Sequence, residues 1–173
     1  MRRSTMASLA AASLLCLCAI LVPPAYASPG ATAPDAAAAF ERLKTLAGKW
    51  EAKDSKGNVM PVTYTVIANG SGVMEEIGGE DMVTVYHRDG ERLMLTHYCA
   101  ANNQPRMRLR SASADGKALT FELLDVTNLK KPTDGHMRAL ALTLVDPDHF
   151  SQQWTFTEAG KDQAEQFTYA RLK

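Results

Sequence analysis

The sequence predicts an all-β protein, an antiparallel up-and-down β-barrel of about ten strands preceded by one short helix. Runs rich in β-branched and aromatic residues recur after Trp50 and are joined by turn signals of Gly, Asn, Asp and Pro. Only the stretch before Trp50 has helical spacing, so parallel βαβ units are excluded. Nearly every connection is short enough for a hairpin, which favours a barrel over a Greek-key sandwich.

The N-terminal residues 1–27 predict a secretory signal peptide. Two arginines precede the apolar run Leu9–Val22, and Ala25-Tyr26-Ala27 has the small-x-small pattern of a cleavage site. An uncleaved membrane anchor is the alternative, but the apolar run is short for a span. We therefore expect an exported protein, periplasmic or secreted, with a flexible leader at residues 28–34 and a single domain at residues 35–173.

Charge and cysteine content exclude several classes of function. The chain has 19 basic and 19 acidic residues, and loss of the signal peptide leaves a small acidic excess, so no nucleic acid or anionic membrane is expected as a partner. Cys99 is the only cysteine beyond the predicted signal peptide, so no internal disulfide is expected. No later apolar run could cross a bilayer, and the oligomeric state stays open.

The helix is predicted from its cap and its apolar spacing. Asp35 is a suitable N-cap residue, and Phe40, Leu43 and Leu46 recur every third residue on one face. Gly48 is expected to end the helix, which gives it a length of about twelve residues.

The strands follow in order, and the first begins near Trp50. Asn69-Gly70 and Asp89-Gly90 are the strongest hairpin signals between them. The later strands are predicted at Pro61–Ile67, Val73–Ile77, Met82–Arg88, Glu91–Cys99, Arg106–Ala112, Leu119–Val126, Met137–Val145, Phe150–Thr157 and Gln166–Leu172.

Three residues are expected to close the barrel. If the first and last strands pair, Arg171 can stack on the Trp50 ring, a contact worth about 1 kcal/mol. Gly48 lets the chain pass close to the end of the barrel without a Cβ atom. This combination resembles the lipocalin and fatty-acid-binding superfamily, whose members carry Gly-x-Trp on the first strand and an arginine near the chain end. The resemblance implies a structural role for all three residues.

A closer resemblance covers about residues 40–171. The runs MVTVYH (82–87), LTHYCAANNQPRM (95–107), DVTN (125–128) and GHM (135–137) resemble a family of bacterial, often exported, lipocalin-like (calycin-type) domains. That resemblance implies the barrel and no particular activity.

A more distant similarity is to nitrobindin barrels, which bind haem through a histidine on a late strand. The corresponding strand here, Ala164–Arg171, contains no histidine, so neither haem nor another cofactor is expected.

The Met82–Cys99 hairpin holds the first candidates for ligand binding. With a two-residue Asp89-Gly90 turn, Met82 would lie opposite His97. Strand alternation then places Tyr86, His97 and Cys99 on one face and Tyr98 on the other.

The loop after this hairpin supplies further candidates. Asn103 and Gln104 can donate and accept hydrogen bonds, and Arg106 could bind a carboxylate as interior arginines do in fatty-acid carriers. Because Arg106 alternates with Met107 and Leu109, a solvated arginine face is the simpler alternative. The complete set of predicted ligand-binding residues is Tyr86, His97, Tyr98, Cys99, Asn103, Gln104 and Arg106.

Three functions remain open at this point. The leading hypothesis is an exported protein that holds a small apolar or amphipathic ligand inside the barrel. The alternatives are a structural or interaction barrel without a ligand, and a hydrolase-type enzyme in which His97 activates Cys99. No residue is assigned a catalytic role. No histidine or cysteine spacing matches a metal signature, so no metal is expected.

Overall fold

The computed structural model describes residues 35–79 and 81–173. The expected signal peptide and leader lie outside the described residues. The structure is a closed barrel of ten antiparallel strands with one helix before it, which confirms the predicted fold class. The elements are α1 (Ala36–Lys44), β1 (Gly48–Lys53), β2 (Val59–Ile67), β3 (Gly72–Ile77), β4 (Met82–Asp89), β5 (Arg92–Tyr98), β6 (Gln104–Ala112), β7 (Ala118–Thr127), β8 (His136–Asp146), β9 (His149–Glu158) and β10 (Lys161–Arg171).

Each strand pairs with its neighbours in sequence, and β1 pairs with β10 to close the barrel. The helix leads directly into β1, so α1 and the β2–β3, β4–β5, β6–β7 and β8–β9 connections share one end, called here the lower end. The remaining connections surround the other end, called here the open end. Among the described residues, no helix is both long and apolar enough to span a bilayer.

The helix forms for the predicted reason but ends earlier than predicted. Asp35 caps it, since its Oδ1 atom accepts a hydrogen bond of 2.9 Å from the Ala38 amide. Phe40 and Leu43 are buried. The helix is only nine residues long, and the chain leaves it at Thr45 rather than at Gly48.

Gly48 has a different role from the expected helix stop. It begins β1 with a φ of 137°, and a Cβ atom there would lie 2.8 Å from Nη1 of Arg171. Both observations require glycine. The missing Cβ atom therefore leaves room for the Arg171 guanidinium beside the backbone at the lower end of the barrel.

Arg171 stabilises the lower end of the barrel. It lies opposite Trp50 in the β1–β10 pair, and its guanidinium carbon is 4.1 Å from the Trp50 ring centroid. The guanidinium donates hydrogen bonds to the carbonyl oxygens of Ala47 (2.8 Å), Thr45 (3.0 Å) and Pro147 (3.0 Å). Trp50 itself donates from Nε1 to the Leu46 carbonyl at 2.7 Å. One arginine thus joins the closing strands to the end of α1.

The register of the β4–β5 hairpin differs from the prediction by two residues. Asp89 pairs with Arg92, so Gly90 and Glu91 form the loop, and Gly90 occupies its first central position with a φ of 59°. His97 therefore lies opposite Thr84 and not opposite Met82. Because the shift is an even number of residues, every side chain keeps its predicted face.

Arg171→Ala should lower the free energy of unfolding by about 2–4 kcal/mol, because it removes the cation–π contact and three charge-assisted hydrogen bonds. Urea denaturation measures this directly. Arg110→Ala is the matched control, since that side chain is 69% exposed on the outer face. It should change stability by less than about 0.5 kcal/mol. Equal midpoints for the two variants would contradict the closing role of Arg171.

Candidate functional site

The lower part of the barrel interior is filled with apolar side chains. Phe150 lies at its centre, edge-on to Trp50 at 4.7 Å and stacked on Tyr169 at 4.1 Å between ring centroids. The fully buried side chains around them include Val73, Leu93, Leu95, Met107, Leu119, Phe121, Leu140 and Leu142. No ligand can enter this region without unfolding the core.

A layer of polar side chains lies above this core. Tyr64, Glu75, Thr84 and His97 are successive cross-strand partners on β2, β3, β4 and β5, so they form one row across the inner face. All four are buried. Buried polar side chains of this kind are usually hydrogen-bonded within the protein.

Gln152 on β9 is the centre of this polar layer. Its Nε2 atom donates to the Tyr64 hydroxyl (2.8 Å) and to Oε1 of Glu75 (3.1 Å). Its Oε1 atom accepts from Nε1 of Trp154 (2.8 Å) and from the Tyr169 hydroxyl (2.9 Å). The amide thus uses both donors and both acceptor positions, so its orientation is fixed.

Glu75 is the buried acid of the same network. It is 0% exposed and also accepts a hydrogen bond of 3.1 Å from the Tyr86 hydroxyl. Burial raises its pKa above the ordinary value, although hydrogen bonds from its neighbours oppose that shift. Burial likewise raises the pKa of Tyr64, Tyr86 and Tyr169 well above 10, so these hydroxyls keep their protons.

A cavity of about 260 Å³ opens above the polar layer, at the open end of the barrel. Trp154 and Tyr169 form its floor, and Asp54 and Glu165 belong to its rim. His97 forms part of the wall. The remaining wall is apolar and half-buried, and consists of Met60, Ile77, Met82, Met137 and Phe167.

His97 is the polar residue of this wall that has an unused hydrogen-bonding atom. It is 1% exposed, and its ring centroid is 4.9 Å from that of Trp154. Nδ1 is 2.9 Å from the Thr84 hydroxyl, whereas the buried Nε2 atom has no hydrogen-bond partner among the described residues. The Thr84 hydroxyl can donate or accept, so Nε2 can present either a lone pair or an N–H group.

The charge state of His97 follows from its burial. Removal from water lowers its pKa to about 4, because the imidazolium loses its hydration. At pH 7 about one molecule in a thousand is therefore protonated at this site. The cavity contains a neutral imidazole.

A larger groove of about 530 Å³ lies outside the barrel, between α1 and the Ser113–Gly116 turn. Its two carboxylates are already engaged in local structure. Asp35 caps the helix, and Asp115 accepts hydrogen bonds from the Ser113 hydroxyl and the Lys117 amide. The described residues that line this groove include no buried polar atom without a hydrogen-bond partner, so the cavity at the open end is the better candidate.

The structure brings one of the predicted ligand-binding residues, His97, to the cavity wall. Tyr86 points into the barrel, but it lies in the polar layer, bonded to Glu75. Tyr98 is 50% exposed on the outer face. Cys99 is half-buried in the β5–β6 loop and is not part of the cavity lining.

The loop residues hold the rim of the barrel together. Asn103 is buried and donates from Nδ2 to the Gly135 carbonyl at 2.9 Å, which ties the β5–β6 loop to the β7–β8 loop. Gln104 accepts a hydrogen bond of 2.9 Å from the Thr127 hydroxyl. Both contacts support the open end without entering the cavity.

Arg106 is not placed to bind a ligand inside the barrel. It lies on the outer face of β6, 50% exposed, and forms a two-pronged ion pair with Asp125 of β7. The alternation with Met107 and Leu109 puts it there, since those two apolar residues are buried. The comparison with interior arginines of fatty-acid carriers therefore does not apply to this residue.

Sequence reasoning missed Glu75 and Gln152, although strand alternation contains the signal for both. Glu75 lies between Val73 and Ile77 in a period of two, so it must share the inner face with them. Gln152 lies in the same way between Phe150 and Trp154. An inward polar residue on a barrel strand predicts a buried hydrogen-bond network or a ligand site.

No protein-family model matches this chain, and no curated protein sequence matches it. Among solved structures, a redesigned β-barrel is similar to it. The alignment covers 76% of this chain and 95% of that one, with 10% sequence identity and a TM-score of 0.35. Nothing about ligand or activity follows from this similarity.

His97→Gln should change how stability depends on pH. The folded pKa of His97 is about 4, below the ordinary value of 6.5, so its contribution to stability is present above pH 6.5 and is lost as the pH falls toward 4. Relative to His97→Gln, the wild-type protein should lose about 3 kcal/mol of unfolding free energy between pH 7 and pH 4. His87→Gln, at the lower end of β4, is the control and should follow the wild type in urea denaturation. An unchanged pH profile in His97→Gln would contradict the burial of a neutral histidine.

Glu75→Gln should change the pH dependence of stability in the opposite direction to His97→Gln. The raised pKa means that the folded state keeps the Glu75 proton to a higher pH than the unfolded chain does. The associated stabilisation is complete below about pH 4.3 and is lost as the pH rises through the folded pKa. Relative to the wild type, Glu75→Gln should therefore gain stability as the pH rises from 4 to 8. Glu76→Gln, on the exposed neighbouring residue, should run parallel to the wild type, and a parallel curve for Glu75→Gln would refute the assignment.

Proposed function

We propose that this protein is an exported binding protein that holds a small apolar or amphipathic ligand in the cavity at the open end of its barrel. One observation carries the proposal. A methionine-lined cavity adjoins a buried histidine whose Nε2 atom lacks a hydrogen-bond partner among the described residues. An unsatisfied buried polar atom is unfavourable, and a ligand that bonds to it would remove that penalty.

The size of the cavity limits the ligand. Small-molecule sites usually measure about 300–1,000 Å³, and an apolar cavity of about 150 Å³ holds benzene. A cavity of about 260 Å³ suits a substituted monocyclic or small bicyclic molecule. Methionine side chains can adjust to such a ligand because they are unbranched and flexible.

The cellular location is part of the same proposal. The arginines, apolar run and Ala25-Tyr26-Ala27 pattern at the N-terminus support export. The resemblance of residues 40–171 to bacterial, often exported, lipocalin-like domains supports an exported barrel. A hydrolase using His97 and Cys99 is disfavoured, because Cys99 is not part of the cavity lining.

The proposal predicts which methionine methyl groups respond to a ligand. Protein labelled with ¹³C at the methionine methyls is titrated with 4-methylbenzyl alcohol and followed by NMR. The methyl signals of Met60, Met82 and Met137 should shift, because they line the cavity, while that of Met107 in the filled core should not.

A pair of variants makes this test specific. Met82→Trp should fill the cavity and abolish the shifts at Met60 and Met137. Met74→Trp is the matched control, because Met74 lies on the opposite face of the adjacent strand from the cavity, and it should leave the shifts intact. Shifts that survive Met82→Trp, or the absence of any shift at saturating probe, would refute the proposed function.

A further inference from the structure

We propose that the cavity selects uncharged, mainly apolar molecules that carry one hydrogen-bonding group, and that it excludes carboxylates. This inference rests on the proposed function, since it names the ligand class of the same cavity. Three observations carry it.

The first observation is the charge around the cavity. Asp54 and Glu165 lie at the rim, and no lysine or arginine is among the described residues that line the cavity. Asp54 is held in place because Oδ2 accepts a hydrogen bond from the Asn58 side chain at 2.7 Å and Oδ1 accepts from the Lys56 amide. An anionic ligand would therefore meet like charges at the rim and no counter-charge inside.

The second observation is the pairing of the two arginines that lie on strands near the open end. Arg106 is paired with Asp125, and Arg138 is paired with Asp162 at 3.0 Å. Both arginines are half-exposed, and each is already bound to a carboxylate. Neither arginine therefore supplies the interior guanidinium that a carrier of fatty acids or other carboxylates needs.

The third observation is the chemistry of His97. Its imidazole is neutral at pH 7, because burial lowers its pKa to about 4. A neutral imidazole can donate or accept one hydrogen bond through Nε2 according to its tautomer. It suits an alcohol, phenol, amide or carbonyl group, and it gives no charge to hold an anion. The methionines around it are flexible enough to let such a group reach the buried nitrogen.

The test compares three probes of nearly the same shape on the wild-type protein. They are p-xylene, 4-methylbenzyl alcohol and 4-methylbenzoate, titrated at pH 7.5 with the methionine methyl signals as the readout. The alcohol should bind about fivefold more tightly than p-xylene, because it satisfies Nε2. The carboxylate should bind at least about tenfold more weakly than the alcohol, because nothing compensates its desolvation.

Two variants separate the contributions of His97 and the rim. His97→Phe should abolish the preference for the alcohol over p-xylene. Glu165→Gln removes a rim charge, so it should strengthen 4-methylbenzoate binding severalfold without affecting the alcohol. The probe series needs no variant, so the test stands even if His97→Phe does not fold.

The outcomes distinguish this inference from the function on which it rests. If 4-methylbenzoate binds as tightly as the alcohol, the selectivity is overturned while the cavity remains a binding site. If p-xylene binds as tightly as the alcohol, the proposed hydrogen bond to His97 is refuted. If none of the three probes shifts the cavity methionines, the proposed function fails, and the selectivity fails with it.

Discussion

Closure of the sheet between β1 and β10 is the constraint on which the rest of this structure depends. It converts ten strands into one enclosed interior, which side chains must either fill or leave as a cavity. Arg171 supports the closing pair at one end through the Trp50 ring and the carbonyl groups of Thr45 and Ala47. The same hydrogen bonds also hold the end of α1 in place. The contacts that close the sheet therefore also cover the lower end of the barrel. Any ligand must then enter from the opposite end.

The polar layer divides the interior into two parts with different properties. Gln152 binds Tyr64 and Glu75 on one side of the barrel and Trp154 and Tyr169 on the other, so it joins strands that are distant in sequence. Trp154 and Tyr169 turn their polar atoms toward Gln152 and also form the cavity floor. The floor is therefore held rigidly, whereas the methionine walls can adapt. This combination suits a site that accepts ligands of varied outline but limited depth.

Much of the fold could be predicted from the sequence. The face on which each strand side chain lies follows from the period of two, and glycine residues mark the positions of the turns. The predicted β4–β5 register was wrong by two residues. The side chains were nevertheless assigned to the correct face of the sheet, because only a shift by an odd number of residues moves them to the other face. The identity of the hydrogen-bond partners was not predictable in the same way. Glu75 and Gln152 are 77 residues apart, and only closure brings them together. For Arg106, the alternation with the buried residues Met107 and Leu109 correctly predicted an outer-face position. The analogy with fatty-acid carriers, which predicted an interior position, was wrong.

The state of His97 is the strongest physical argument that the cavity has a purpose. A leucine or phenylalanine at this position would pack against Trp154 and remove the unpartnered Nε2 atom, although the buried Thr84 hydroxyl would then lose its bond to Nδ1. The histidine instead buries an Nε2 atom that has no hydrogen-bond partner within residues 35–79 and 81–173, a condition that costs about 1–3 kcal/mol. Its other nitrogen is oriented by Thr84, so the ring is held in a defined position rather than accommodated loosely. A group that is buried, oriented and left unpaired, beside a space large enough for a small molecule, is placed as a binding site would place it. The unpartnered Nε2 atom lowers the stability of the folded protein, and a ligand that forms a hydrogen bond to it would restore that stability.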